Sequence, residues 1–190
     1  MADGWIDAYL DHYARFLHEP VEARPYTLNE DLPPIRILEY DRVIDGCRVF
    51  ATLGLSTYYP DAEQAAEIIC PVDKAWDQIP DVLSHMIFRL ITSEKKITPE
   101  RGASVNGLDE YAPDFAKKFK KTALYLTDPY GLPEEFAFVP HGEEEGRMYL
   151  AMFLTKKEHA YLEANDCEAL EDRFEIKAVD PYDLGRKSCV

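Results

Sequence analysis

The run IRILEYDRVIDGCRVFATL extends from Ile35 to Leu53. Its two ends, Ile35 to Tyr40 and Cys47 to Leu53, are rich in β-branched, aromatic and other apolar residues, which suit extended backbone on a half-buried pleated surface. Asp45-Gly46 lies between them, and Asp-Gly between two extended runs marks a hairpin, because such turns need backbone with positive φ. The stretch therefore predicts two antiparallel neighbours. Ala65 to Val72 predicts a third strand beyond a loop at Tyr58-Tyr59-Pro60-Asp61. An amphipathic helix should follow from about Asp77 to Lys95, since Ile79, Leu83, Met86, Ile87 and Leu90 recur at steps of three and four. Pro80 falls in its first turn, where a missing N–H costs little.

Upstream, Trp5, Ile6, Tyr9, Leu10, Tyr13, Phe16 and Leu17 form one stripe of a helix over residues 3–19, ended by Pro20. The segment carrying Pro25, Pro33 and Pro34 reads as a surface connector. Downstream, Pro99, Gly102, Gly107 and Pro113 make residues 98–114 read as loop. Strands are predicted at Ala123 to Thr127, Glu135 to Val139 and Arg147 to Leu154. Asp128-Pro129-Tyr130-Gly131 separates the first two, and residues 141–146 the last two. Thr155 and Glu158 form a capping box for a helix stopping near Asn165, and a short acidic helix should span Cys167 to Arg173 before an extended tail. Strands and helices come in blocks rather than alternating. That order predicts an α+β fold: one domain with a mixed, mainly antiparallel sheet flanked by helices. Residues 1–34 are expected to pack as helix and connector on a domain formed by residues 35–190.

The chain has 190 residues, 36 acidic against 21 basic, for a net charge of −15. With 46% hydrophobic residues it can bury a core. The surplus argues against nucleic acid and against anionic membrane surfaces, both of which attract cations, and permits basic partners. The longest uncharged stretch, Val49 to Pro60, is 12 residues, too short to cross a bilayer. The N-terminus lacks a basic region followed by an apolar run, so no signal peptide is expected. Cys47, Cys70, Cys167 and Cys189 form no C-x-x-C pair and read as reduced thiols in a cytoplasmic protein, with Cys189 exposed.

Signals for catalysis are missing. Gly54-Leu55-Ser56-Thr57-Tyr58 lacks the second glycine of a nucleophile elbow. No phosphate-cradling glycine motif occurs, and none of His12, His18, His85, His141 and His159 sits in H-E-x-x-H. His141 beside Glu143, Glu144 and Glu145 reads as a solvated acidic turn. With so many carboxylates, chance pairs are expected and carry no weight. No catalytic residue, metal ligand or cofactor is assigned, and the expectation is a protein that is not an enzyme.

Several segments, taken in order, resemble one family. They are Thr52, Gly54 and Ser56 after a strand, Glu67 inside the next apolar strand, and the helix preceded by Trp76. Tyr130-Gly131-Leu132-Pro133-Glu134-Glu135-Phe136, the strand ending at Leu154, and a tail with Asp183, Arg186 and Ser188 complete the set. Over roughly residues 35–190 this resembles the suppressor-of-fused domain family. That family commonly has proline before the threonine of the penultimate helix, where this chain has Leu154. Its animal member carries a second domain, with a transcription-factor ligand between the two, so the Hedgehog role is not carried over to a chain one domain long. For a single-domain, bacterial-type form the resemblance implies an α+β fold, no catalytic residues, and an immunity or antitoxin role against a toxin that is often a nuclease.

Two kinds of residue follow as candidates. Glu134, Glu135, Glu143, Glu144 and Glu145, or the group Asp166, Glu168, Glu171 and Asp172, could present carboxylates to a basic toxin domain. The family-motif residues Thr52, Gly54, Ser56, Glu67, Asp183, Arg186 and Ser188 read as structural, with Gly54 in a conformation that a Cβ forbids and Ser56 bonding the local backbone. The alternative is a generic module that binds peptides, for instance by adding a strand to an open sheet edge.

Overall fold

The hairpin expected from Ile35 to Leu53 forms. β2 (Ile35–Ile44) pairs antiparallel with β3 (Cys47–Leu53), with a register shift between Tyr40 and Ile44. The computed structural model describes residues 2–30, 32–44, 46–94 and 96–190. Asp45 of the expected turn and Lys95 of the expected helix end lie outside them, while Gly46 has the positive φ of 77° that the turn requires. β4 (Ala66–Val72) continues the sheet antiparallel to β3.

The connector after α1 (Ala2–Phe16) is more than a surface excursion: it contains β1 (Glu22–Tyr26), paired along its length with β2. Residues 98–114 are not mostly loop either. They hold β5 (Ser104–Asn106), α3 (Leu108–Tyr111) and the start of α4 (Pro113–Phe119). α2 (Ile79–Thr92) precedes them, with all five stripe residues fully buried. β6 (Ala123–Thr127) lies as expected. The strand expected from Glu135 begins instead as a 3-10 turn over Glu134–Ala137, and β7 is Phe138–His141. β8 (Glu144–Leu154) starts earlier than expected, closing a tight hairpin on β7 at Gly142 and Glu143. α5 (Lys156–Ala164) and α6 (Cys167–Ile176) end the order.

The strands form one open mixed sheet in the order β1-β2-β3-β4-β8-β6-β5, with β7 beside the first part of β8. Every pairing is antiparallel except β4 with β8, which runs parallel from Ala66↔Arg147 to Ile69↔Leu150. Successive strand residues face opposite sides. Ile35, Ile37, Phe50, Ile68, Cys70 and Phe153 therefore pack under α2 and α4, and Leu38, Val49, Ala51, Ile69 and Leu150 under α1. Both faces are covered, which explains why β3, β4 and β8 read as nearly continuous apolar runs. α1 comes so close to the β7–β8 hairpin that a Cβ on Gly146 would lie 2.6 Å from the Tyr9 hydroxyl. Among the described residues no helix is long and apolar enough to cross a membrane.

Candidate functional site

Glu67 is the one charged side chain in β4, and it is fully buried. Alternation along the strand aims it at the α1 side, toward Tyr9 and Tyr13. Burying a carboxylate is costly unless its lone pairs are filled. Here five donors fill them. Oε1 accepts from the Gly54 N–H at 2.9 Å and from the Ser56 N–H and hydroxyl, each at 3.1 Å. Oε2 accepts from the Thr52 hydroxyl at 2.6 Å and the Leu55 N–H at 3.2 Å. Thr52 Oγ1 in turn accepts from the Ile68 N–H at 2.8 Å, continuing the β3–β4 ladder beyond the Ala51↔Ile69 pair. The backbone can wrap the carboxylate because Gly54 holds φ 101° before a 3-10 turn at Leu55–Tyr58. Burial pushes the Glu67 carboxyl above its ordinary value, against the pull of these donors. Thr52, Gly54, Ser56 and Glu67 thus meet in one buried cluster. Ser56 bonds the Glu67 side chain rather than the local backbone; it is the Thr57 hydroxyl that donates to Gly54 O, at 2.7 Å.

The second cluster joins the tail to α5. Thr155 and Glu158 complete the capping box. Glu158, fully buried, also receives Arg186 Nη1 at 2.5 Å and the Cys189 N–H at 3.1 Å. Arg186 Nη2 donates to Phe153 O at 3.1 Å. The Ser188 and Thr155 hydroxyls lie 3.2 Å apart. Burial acts to raise the Glu158 carboxyl, but the Arg186 guanidinium together with the Thr155 and Cys189 N–H donors outweighs it and holds the group below its ordinary value. Removing one partner of such a buried pair costs about 3–5 kcal/mol. Asp183 accepts from the Gly185 N–H at 2.7 Å and from Lys74 Nζ at 3.3 Å, tying the tail to the residues after β4. Lys121, which the motif reading passed over, is 1% exposed, and its ammonium reaches Arg186 O at 3.2 Å. Cys189 is half-buried here rather than exposed.

The exposed acids separate into two places. Glu143, Glu144 and Glu145 stand at the β7–β8 hairpin tip, while Glu134 and Glu135 precede β7 at its other end. Among the described residues none of the five forms an ion pair. The acidic group near α6 is partly spent on the fold. Asp166 caps the helix through the Ala169 N–H at 2.8 Å, and Glu171 accepts from the Tyr125 and Thr127 hydroxyls, each at 2.6 Å, and pairs with Arg101.

One surface depression holds a serine, a histidine and a glutamate. Ser104 Oγ lies 3.4 Å from His159 Nε2, and Glu163 lies 3.7 Å from His159 Nδ1. The second distance exceeds hydrogen-bond reach, and Glu163 is 64% exposed, so its carboxylate does not fix the imidazole as a nucleophilic triad demands. Among the described residues no three potential ligands gather to hold a metal ion.

Residues 31–187 match the family model described as suppressor of fused protein (SUFU). No curated protein sequence matches the chain. The fold is shared with the crystal structure of a SUFU homologue from Neisseria gonorrhoeae (TM-score 0.73, 17% identity, covering 98% of this chain and 97% of that one). It is shared also with Drosophila Suppressor of Fused (TM-score 0.61, 13% identity, 97% of this chain but 50% of that one). A chain of the Sufu–Fu complex matches at TM-score 0.62 and 11% identity, over 98% of this chain and 90% of its own length.

Proposed function

The chain belongs to the suppressor of fused protein (SUFU) family, and from that premise we propose that it works by binding another protein and not by catalysis. A fold shared with a chain of the Sufu–Fu complex supports the reading. So does the chemistry of the motif residues: the buried Glu67, Glu158 and Arg186 have their polar groups engaged by the fold itself. The finer proposal is an immunity or antitoxin role in the cytoplasm, with a basic toxin domain as partner. The observation that carries it is the hairpin tip, where three consecutive exposed glutamates have no cation partner among the described residues, on a chain of net charge −15. A nuclease must present cations to phosphate, and carboxylates offered to the same cleft both steer association and exclude substrate.

Strand addition has less support. β1, at one edge, carries Pro25 and the Glu22–Arg24 ion pair, and β5, at the other, has three residues. Proline, charge and shortness all blunt an edge.

The test is affinity capture with the tagged chain from cells that encode it, followed by association kinetics with the captured partner. The on-rate should fall at least tenfold between 20 and 300 mM salt, and Glu143→Gln/Glu144→Gln/Glu145→Gln should slow association without changing the melting temperature. A salt-independent on-rate removes the steering role, and a neutral or acidic partner surface removes the basic-toxin proposal.

A further inference from the structure

The charge of this protein is segregated along its longest strand. Exposed Glu144 and Glu145 open β8, and exposed Lys156 and Lys157 follow its end, beyond a strand of 11 residues that spans about 35 Å. Lys156 belongs to a depression of about 400 Å³ between α4, the start of β6 and the first turn of α5. Lys117, from the last turn of α4, and Lys120, just past its end, line the same depression. Pro113, Ala116 and Thr122 line it without charge, and Asp109 is its one acid.

Three features mark these lysines. All are exposed, and none of Lys117, Lys120, Lys156 and Lys157 forms an ion pair among the described residues. Elsewhere Arg24, Arg48, Lys74, Arg89, Arg101, Arg147 and Arg186 each have a carboxylate partner. Residues 115–122 contain no acid at all, in a chain where acids outnumber bases by 36 to 21. Lys120, finally, sits at φ 58°, a left-handed conformation that glycine or asparagine adopts at lower cost.

We propose that the depression lined by Lys117, Lys120 and Lys156 is a docking site for an acidic peptide segment of a protein partner, carboxylates meeting the three ammoniums and a small apolar side chain resting on Pro113 and Ala116. This rests on the protein-binding reading above and adds a second surface to it. The partner segment complements this site, as a basic surface complements the glutamate tip at the far end of β8. At physiological salt the screening length is about 8 Å, so the depression presents its own positive field in spite of the net charge of −15.

The experiment is fluorescence anisotropy at 150 mM salt with a labelled peptide of sequence DELED, its uncharged analogue QNLQN, and an unstructured oligothymidylate. The wild-type chain should bind DELED at least tenfold tighter than QNLQN. Lys117→Glu/Lys120→Glu/Lys156→Glu should lower that affinity at least tenfold, since each exposed pair contributes up to about fivefold. The triple variant changes exposed side chains only, so its melting temperature reports that it is folded, and the milder Lys117→Gln/Lys120→Gln/Lys156→Gln should show an intermediate loss. Equal binding of DELED by wild type and triple variant overturns the site. Tighter binding of the oligonucleotide through the same lysines overturns the peptide assignment. If the triple variant captures from cells the same partner as wild type, with equal affinity, this surface is wrong while the protein-binding reading stands. If wild type captures no protein at all, the reading itself fails.

Discussion

Glu67 and Glu158 are both fully buried glutamates, yet they are satisfied in opposite ways. Among the described residues Glu67 has hydroxyl and backbone N–H donors and no cation, so burial dominates and its carboxyl is pushed up. Glu158 has Arg186 and is held down. The difference gives a prediction. Glu67→Ala strands three backbone N–H groups and two hydroxyls and should cost about 3 kcal/mol or more. Glu67→Gln keeps one acceptor oxygen and can donate to Thr52, so it should cost about half as much. Urea denaturation checks the order; an alanine variant within 1 kcal/mol of wild type would show the cluster to be dispensable.

Lys121 supplies a pH-dependent test at the same scale. Burial, with the Arg186 charge adding to it, pushes its ammonium down to about 8. In the unfolded chain the group titrates near 10.4. Between those values the unfolded chain holds a proton that the native state has shed, so the stability attributable to Lys121 rises with pH across that window. Below pH 8 the fold bears the whole cost of the buried charge. Lys121→Met lacks this titration. Its stability relative to wild type should therefore decline by up to about 3 kcal/mol from pH 8 to pH 10.4. The thiols of Cys70 and Cys189, pushed up to about 12 and about 11, act in the other direction but are present in both proteins. A difference that stays flat with pH would contradict the assignment.

At the scale of elements, the turn after β3 is built to enclose Glu67. Gly54 donates to that carboxylate from φ 101°, and a Cβ there would stand 3.3 Å from Pro34 O. Gly54→Val should cost about 2–4 kcal/mol, as a β-branched residue pays for the left-handed backbone and disturbs the N–H donors. Loss of partner binding with unchanged stability would instead make the loop a contact surface. The same scale shows why some elements were legible and others not. Asp45-Gly46 and the Thr155–Glu158 box are contained within a few residues, so β2, β3 and α5 could be read directly. Between residues 98 and 119 the breakers punctuate short elements instead of filling a loop. Gly102 at φ 94° precedes β5, Gly107 at φ 91° caps α3, and Pro113 opens α4. β1 was hidden by Pro25, which an edge strand tolerates because only one side needs pairing.

Over the whole molecule, the net charge that argues against polyanion binding turns out to be unevenly placed. Among the described residues, glutamates without a cation stand at one end of β8 and lysines without a carboxylate at the other. Other cations are held in ion pairs, some of which stitch distant elements, such as Arg101 to Glu171 and Arg186 to Glu158. Composition therefore indicated the sign of the net field but not its two poles. The motif residues divided in the same way. Their order along the chain matched the family pattern, while their grouping into a Glu67 cluster and a Glu158 cluster depended on β3 pairing with β4 and on the tail crossing α5.

What the sequence determined by itself was local. It set the β2–β3 hairpin, the apolar stripe of α2, the cap of α5 and, from the order of blocks, the α+β class, because each signal is complete within one element or its ends. The tertiary structure alone decided the parallel closure of β4 on β8, the donors that Glu67 receives, the cation that Glu158 keeps and the lysines that remain unpaired. Those outcomes depend on which strands meet and in what register, and a side-chain period of two is satisfied by many pairings until the whole sheet selects one.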